Sequence, residues 1–175
     1  MRTLVTGGVR SGKSRHAEAL LASAGAVTYV APGRPADESD PEWAARVAGH
    51  QLRRPAHWTT VETPDVAGAI TDSAQPVLVD CLGTWVTAVV DDLDAWDRPL
   101  GDWQHEFADR LDGLVSAWQA FSHDAVAVTN EVGWGVVPEY RSGRVFTDLL
   151  GRTNQAVAAV SDQVVLVVAG RTLIL

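Results

Sequence analysis

The chain is poor in residues that staple a fold or build a metal centre. Its single cysteine, Cys81, excludes an internal disulfide and a cysteine-built zinc site. No apolar run approaches the roughly 18 residues of a membrane span. The opening stretch, Met1 to Gly8, is too short an apolar run for a signal peptide. None of the five histidines has zinc-ligand spacing to a second histidine with acids nearby. Basic residues are the scarcer charge, 14 against 22 acids, for a formal net charge of −8. Phosphate backbones are held by clustered Lys and Arg, so this balance speaks against a nucleic-acid partner. Lysine is scarcer still: 13 of the 14 basic residues are Arg, and the exception is Lys13. These absences lead us to expect a cytoplasmic protein with no membrane span.

What is present suits a globular domain. The chain has 175 residues, 46% hydrophobic and 21% charged, enough to bury a core without staples. No repeat or linker divides it, so residues 1–175 are read as a single domain. Apolar strand-like runs alternate with helical patterns. Strands are expected at Arg2–Thr6, Ala26–Ala31, Trp58–Glu62, Val77–Asp80, Ala125–Thr129, Gln163–Val168 and Thr172–Leu175. Helices are expected at Lys13–Ala24, Pro41–Arg54, Val66–Thr71, Leu82–Val90, from the acidic stretch to Phe121, and at Arg144–Val160. Asp40 suits an N-cap and Pro41 a first helical position, while Pro55 ends that helix. Strands apolar throughout and alternating with helices imply a mainly parallel sheet covered on both faces. Ligands of such sheets bind at the carboxyl ends of the strands.

Gly7-Gly8-Val9-Arg10-Ser11-Gly12-Lys13-Ser14 fits G-x-x-x-x-G-K-[ST]. Glycines let such a loop curl its N–H groups inward at phosphate oxygens, and the next helix aims its positive end there. Lys13 would reach the β- and γ-phosphates, and the Ser14 hydroxyl would ligate Mg²⁺. The motif follows a strand, opens a helix and contains the only lysine. Asp80 ends an apolar strand and suits a second metal partner; capping the next helix is its other reading.

His50 stands with Arg46, Arg53 and Arg54 at helical i−4, i+3 and i+4. Spacing alone leaves two readings open. The arginines hold a polyphosphate while the imidazole attacks phosphorus, or the face is basic and solvated. Trp43, Trp85, Trp103 and Trp118 are expected in the core or an interface, and the acids between Asp91 and Asp112 on a solvated face. Asn130 to Gly135 follows a strand at the ligand edge, as part of an acceptor pocket or as a mobile turn.

Four blocks in order make the chain resemble a known family. They are TGGVRSGKSRHAE (6–18), AARVAGHQLRRPAHWTTVE (44–62), VLVDCLGTWVT (77–87) and VTNEVGWGVVPEYRSGRVFTDLLGRTNQ (128–155). The family is the bifunctional adenosylcobinamide kinase / adenosylcobinamide-phosphate guanylyltransferase of cobalamin biosynthesis, and the resemblance spans essentially the whole chain. It implies an α/β fold of the P-loop NTPase type, RecA-like, and a homotrimer. It implies phosphorylation of adenosylcobinamide with ATP or GTP, then transfer of GMP from GTP to adenosylcobinamide phosphate with loss of pyrophosphate. The family's guanylylated histidine falls on His50, making His50 and Lys13 the catalytic pair. Nucleotide contacts fall on Gly7, Gly8, Val9, Arg10, Ser11, Gly12, Lys13 and Ser14. Further contacts fall on Ala31, Pro32, Gly33, Gln51, Leu52, Arg53, Arg54, Glu62 and Asp80. Two positions depart from the family pattern: Ala88 where Asn is usual, and Thr147 where Arg is usual. The alternative is a monofunctional small-molecule P-loop kinase, which would need the loop and Asp80 but not His50. A GTP switch would read guanine with Asn-Lys-x-Asp, which a chain with one lysine in its phosphate loop lacks. A DNA-acting ATPase fits poorly with the acidic charge.

Overall fold

The computed structural model describes residues 1–35, 40–52 and 54–175, with Arg46 and His50 described by their main chain. The first half of the described chain runs β1 (Arg2–Thr6), α1 (Lys13–Leu20), β2 (Thr28–Ala31), α2 (Pro41–Gln51), β3 (Thr59–Glu62), α3 (Val66–Thr71) and β4 (Val77–Asp80). The second half runs α4 (Leu82–Asp92), α5 (Leu100–Ala120), β5 (Ala125–Val128), α6 (Arg141–Ala159), β6 (Gln163–Val168) and β7 (Arg171–Ile174). The strands form one sheet in the order β3-β2-β4-β5-β1-β6-β7. All neighbours are parallel except β6 and β7, which pair antiparallel. Thus β5 separates the strand that leads into the phosphate loop from the strand that ends in Asp80.

The strands are apolar on both faces because both faces are covered. Side chains alternate across a strand, and the core divides accordingly. Leu4, Val77, Val79, Ala125 and Ala127 join a cluster with Trp85, Trp103, Phe107 and Trp118 of α4 and α5. Val5, Leu78, Val126 and Val128 join a second cluster with Ala17, Leu21 and Tyr29. A fully buried Leu or Phe contributes about 1.5–3 kcal/mol by leaving water.

Helix α5 buries Trp103, Phe107, Leu114 and Trp118 as one stripe, and Asp102, Asp109 and Asp112 stay exposed. Its buried indoles are satisfied: Trp103 Nε1 donates to the Arg98 carbonyl at 3.3 Å, and Trp118 Nε1 to Ser161 Oγ at 3.0 Å. Asp40 caps α2, its Oδ1 accepting from the Trp43 N–H at 3.0 Å. The other end of α2 stops at Gln51, three residues before the expected boundary.

Candidate nucleotide site

The loop between β1 and α1 owes its shape to two glycines. Gly12 has φ 99°, a left-handed value natural to glycine, and forms the N-cap of α1. A Cβ on Gly7 would lie 2.4 Å from the Val167 carbonyl oxygen, so no larger residue fits against β6. Arg10 is also left-handed, at φ 59°. The loop closes on itself through Ser11 N–H to the Gly8 carbonyl at 3.2 Å. Two neighbours brace it from outside: Gly170 N–H donates to the Ser11 carbonyl at 2.8 Å, and Glu131 N–H to the Gly7 carbonyl at 3.2 Å. Lys13 is buried in the first turn of α1, and its ammonium donates to the Gly8 carbonyl at 3.1 Å. The lone lysine is thus folded over the loop, with the N-terminal end of α1 behind it.

A second constellation joins β2 to the end of β4. The Tyr29 hydroxyl donates to Asp80 Oδ2 at 2.9 Å. The Arg54 guanidinium lies 3.6 Å from the centre of the Tyr29 ring and donates through Nη1 to Thr60 Oγ1 at 3.0 Å. Burial, then the Asp80 charge, raises the Tyr29 phenol far above its ordinary range, so it stays a donor. Burial, with the same charge behind it, also raises the Cys81 thiol. A cavity of about 350 Å³ joins the two constellations, with Lys13, Ser14, Tyr29, Arg54 and Asp80 on its walls.

Most residues singled out from the sequence gather here. Val9, Ala31, Gly33 and Glu62 line the same cavity. A wider cleft of about 740 Å³ runs along the loop from Val9 to Ser14, between Gly49 of α2 and Gly170 of the β6–β7 turn. Val9, Lys13 and Ser14 border both spaces. Pro32 lies in an adjoining groove beside Ala88 and Asp91, and Gln51 in another beside Thr60 and Glu62. Leu52 is 87% exposed. Position 50 directly follows Gly49 near the end of α2, while the His50 and Arg46 side chains and all of Arg53 lie outside the described residues. Thr147 sits in α6, donating to the Gly143 carbonyl at 2.8 Å.

Trp43, expected in the core or an interface, is half-buried; it lines the cavity, and its Nε1 donates to the Arg34 carbonyl at 3.1 Å. The sequence places Tyr29 only within the expected strand Ala26–Ala31; its polar hydroxyl in that apolar run is the available signal of a further role. Of the loop after β5, Asn130 and Val132 reach the cavity wall, while Trp134, Val136, Val137 and Tyr140 are exposed. No group of three or more His, Cys, Asp or Glu side chains that could hold a metal occurs among the described residues. No helix among them is long and apolar enough to cross a membrane.

A family model described as cobinamide kinase / cobinamide phosphate guanyltransferase matches residues 3–175. The chain is 40% identical over 179 residues to the bifunctional adenosylcobalamin biosynthesis protein CobU of Escherichia coli strain K12, covering 97% of each. Its identity to the protein of the same description from Salmonella typhimurium is 42% over 182 residues, again covering 97% of each. The corresponding figure for CobP of Pseudomonas aeruginosa is 38%, covering 97% of this chain and 94% of that one. Among solved structures, a type III secretion system ATPase superposes with a TM-score of 0.56 at 13% identity, over 94% of this chain and 50% of that one. The P4 protein of bacteriophage phi6 in complex with ADP gives 0.50 at 15%, over 98% of this chain and 52% of that one. The chain spans about half the length of these two structures, and the likeness concerns the P-loop NTPase fold alone.

Proposed function

This chain belongs to the cobinamide kinase / cobinamide phosphate guanyltransferase family, and from that premise we propose that one nucleotide site serves both of its transfers. It is a bifunctional enzyme of cobalamin biosynthesis acting on small-molecule cobinamide substrates. The observation that carries the shared site is that Lys13 and Ser14 border both the loop cleft and the cavity containing Asp80. A nucleotide on the loop would therefore present its phosphates to both spaces.

In this reading the loop N–H groups from Gly7 to Ser14 hold the β- and γ-phosphates of ATP or GTP. Lys13 leaves its carbonyl partner on Gly8 to bind them. In the kinase step the cobinamide hydroxyl attacks the γ-phosphorus, the bond to the β-phosphate oxygen breaks, and the nucleoside diphosphate leaves while the hydroxyl proton passes to solvent. In the guanylyl step the His50 imidazole attacks the α-phosphorus of GTP and pyrophosphate leaves against the loop; an oxygen of the acceptor phosphate then attacks that phosphorus, breaking its bond to the histidine, so that GMP passes to the acceptor and the imidazole is freed. Ala31, Pro32, Gly33, Gln51, Leu52, Arg53, Arg54 and Glu62 contact the nucleotide. Hard oxygen donors suit Mg²⁺, which typically takes one or two protein ligands and completes its shell with phosphates and water. Ser14 and Asp80, on one cavity wall, fit that demand and would hold it. The ion would neutralise phosphate charge in both transfers. The chain works as a single domain, as a homotrimer, in the cytoplasm.

Covalent labelling tests the proposal. Wild type and His50→Ala are incubated with Mg²⁺ and GTP labelled at the α- or γ-phosphate. The α-label should bind the wild type alone, in an acid-labile and base-stable bond, and adenosylcobinamide phosphate should release it. His50→Ala should keep the kinase reaction. Two separately saturable nucleotide sites, or α-label retained by His50→Ala, would overturn it.

A further inference from the structure

We propose that Tyr29 is a positioning residue for Asp80, fixing the carboxylate through which the metal-bound nucleotide is held; this rests on the reading of Asp80 as a Mg²⁺ partner. Tyr29 is 1% exposed and packs among Val5, Leu78 and Val128. Phenylalanine would fill that space equally well. The hydroxyl therefore adds nothing to packing, and a buried hydroxyl requires a partner. Its partner is the carboxylate that ends β4, at 2.9 Å.

The bond also restricts Asp80. An ionised carboxylate offers about four acceptor positions on two oxygens. The phenol occupies one on Oδ2, which restrains rotation of the carboxylate plane. The phenol is itself restrained. Its strand is hydrogen-bonded on one side to β3 and on the other to β4. Arg54 covers its ring at 3.6 Å and is tied to Thr60 in β3. Ring, guanidinium and carboxylate thus form a braced row across three adjacent strands. Partners of this kind, one bond removed from a metal, typically change metal affinity about 10- to 100-fold when lost.

Tyr29→Phe removes the hydroxyl and keeps the ring, its packing and the Arg54 stacking. Two readouts separate positioning from structure. One is Mn²⁺ binding to the protein–GDP complex, followed by loss of the free-ion EPR signal. The other is the Mg²⁺ dependence of the kinase reaction at saturating ATP. Tyr29→Phe is expected to raise the half-saturating concentration of either metal about 10-fold. The kcat at saturating metal should change less than about twofold, as expected for an effect confined to metal binding. Metal-free GDP binding should be unchanged. Asp80→Asn should raise the half-saturating metal concentration at least as much, and adding Tyr29→Phe to it should change nothing further. If Asp80→Asn weakens Mn²⁺ binding and Tyr29→Phe does not, the role of Tyr29 is overturned and that of Asp80 stands. If Asp80→Asn leaves Mn²⁺ binding intact, the metal reading of Asp80 falls and the role of Tyr29 falls with it.

Discussion

The main-chain N–H of Gly170 donates to the carbonyl of Ser11 across 2.8 Å, so the turn between the last two strands braces the phosphate loop. The adjoining strand sets a second limit, because the Val167 carbonyl oxygen would meet any Cβ on Gly7 at 2.4 Å. That oxygen is main chain in a paired strand and cannot step aside. Gly7→Ala is expected to cost about 1–3 kcal/mol. In a chain of this size that is a fall of about 2–12 °C in melting temperature, accompanied by weaker nucleotide binding. Gly8→Ala is the control, since nothing lies within 4 Å of its Cβ. Equal melting temperatures for the two variants would contradict the close approach.

Lys13 bridges the two spaces of the site, so its loss should affect both chemistries. Lys13→Ala is expected to lower the kinase and guanylyltransferase rates together, each by about 10²–10³. Steady-state assays of each half-reaction, with circular dichroism of the variant, check this. Survival of either rate would mean that the lysine serves only one transfer.

Acid stability should report the pair that joins β1 to the start of β6. Hydrogen bonds from the Arg2 side chain, then from its main-chain N–H at 2.6 Å, lower the Asp162 carboxyl from 3.8 to about 2. A carboxyl lowered by folding stabilises the fold fully above its unfolded value. That contribution is lost as the pH falls from about 3.8 through about 2. Asp162→Asn should therefore melt slightly below wild type at pH 7, with the two curves converging towards pH 2. The difference should be small because the carboxylate is 42% exposed. A constant difference across that range would show that the charge is not what matters.

Cys81 borders the cavity, but burial raises its thiol and the Asp80 charge adds to the effect. Thiolate is the reactive form. Alkylation by iodoacetamide at pH 8 should be much slower than that of free glutathione, and saturating GTP should slow it further. Labelling as fast as glutathione, indifferent to GTP, would exclude Cys81 from the nucleotide's surroundings. Mass spectrometry of the single cysteine peptide gives the rate.

How legible a residue is in the sequence depends on whether its task is local. The shape of the Gly7–Ser14 loop is set by its own glycines and the helix that follows, so eight consecutive residues are enough to expect it. The place of Asp80 is equally legible, since a run of Val and Leu ending in an acid reads as a buried strand with the acid at its end. The end of α2 was not: Pro55 marks a limit, but the helix stops earlier, at Gln51. Arg54 leaves helical geometry to cover Tyr29, a contact with a strand 25 positions away that no local pattern encodes. The surroundings of Trp43 are equally non-local: its helical position suits a core or interface residue, and its neighbour is the loop at Arg34, whose guanidinium pairs with Asp40 and lies 5.9 Å from the indole.

The place of β5 between β1 and β4 has one more consequence. Adjacent strands lie about 4.7–4.9 Å apart, so the strand that enters the Gly7–Ser14 loop and the strand that ends in Asp80 stand roughly 10 Å apart across the sheet. That interval is measured in main-chain hydrogen bonds, and no side chain sets it. Side chains lining the neighbouring spaces can therefore change without altering that spacing.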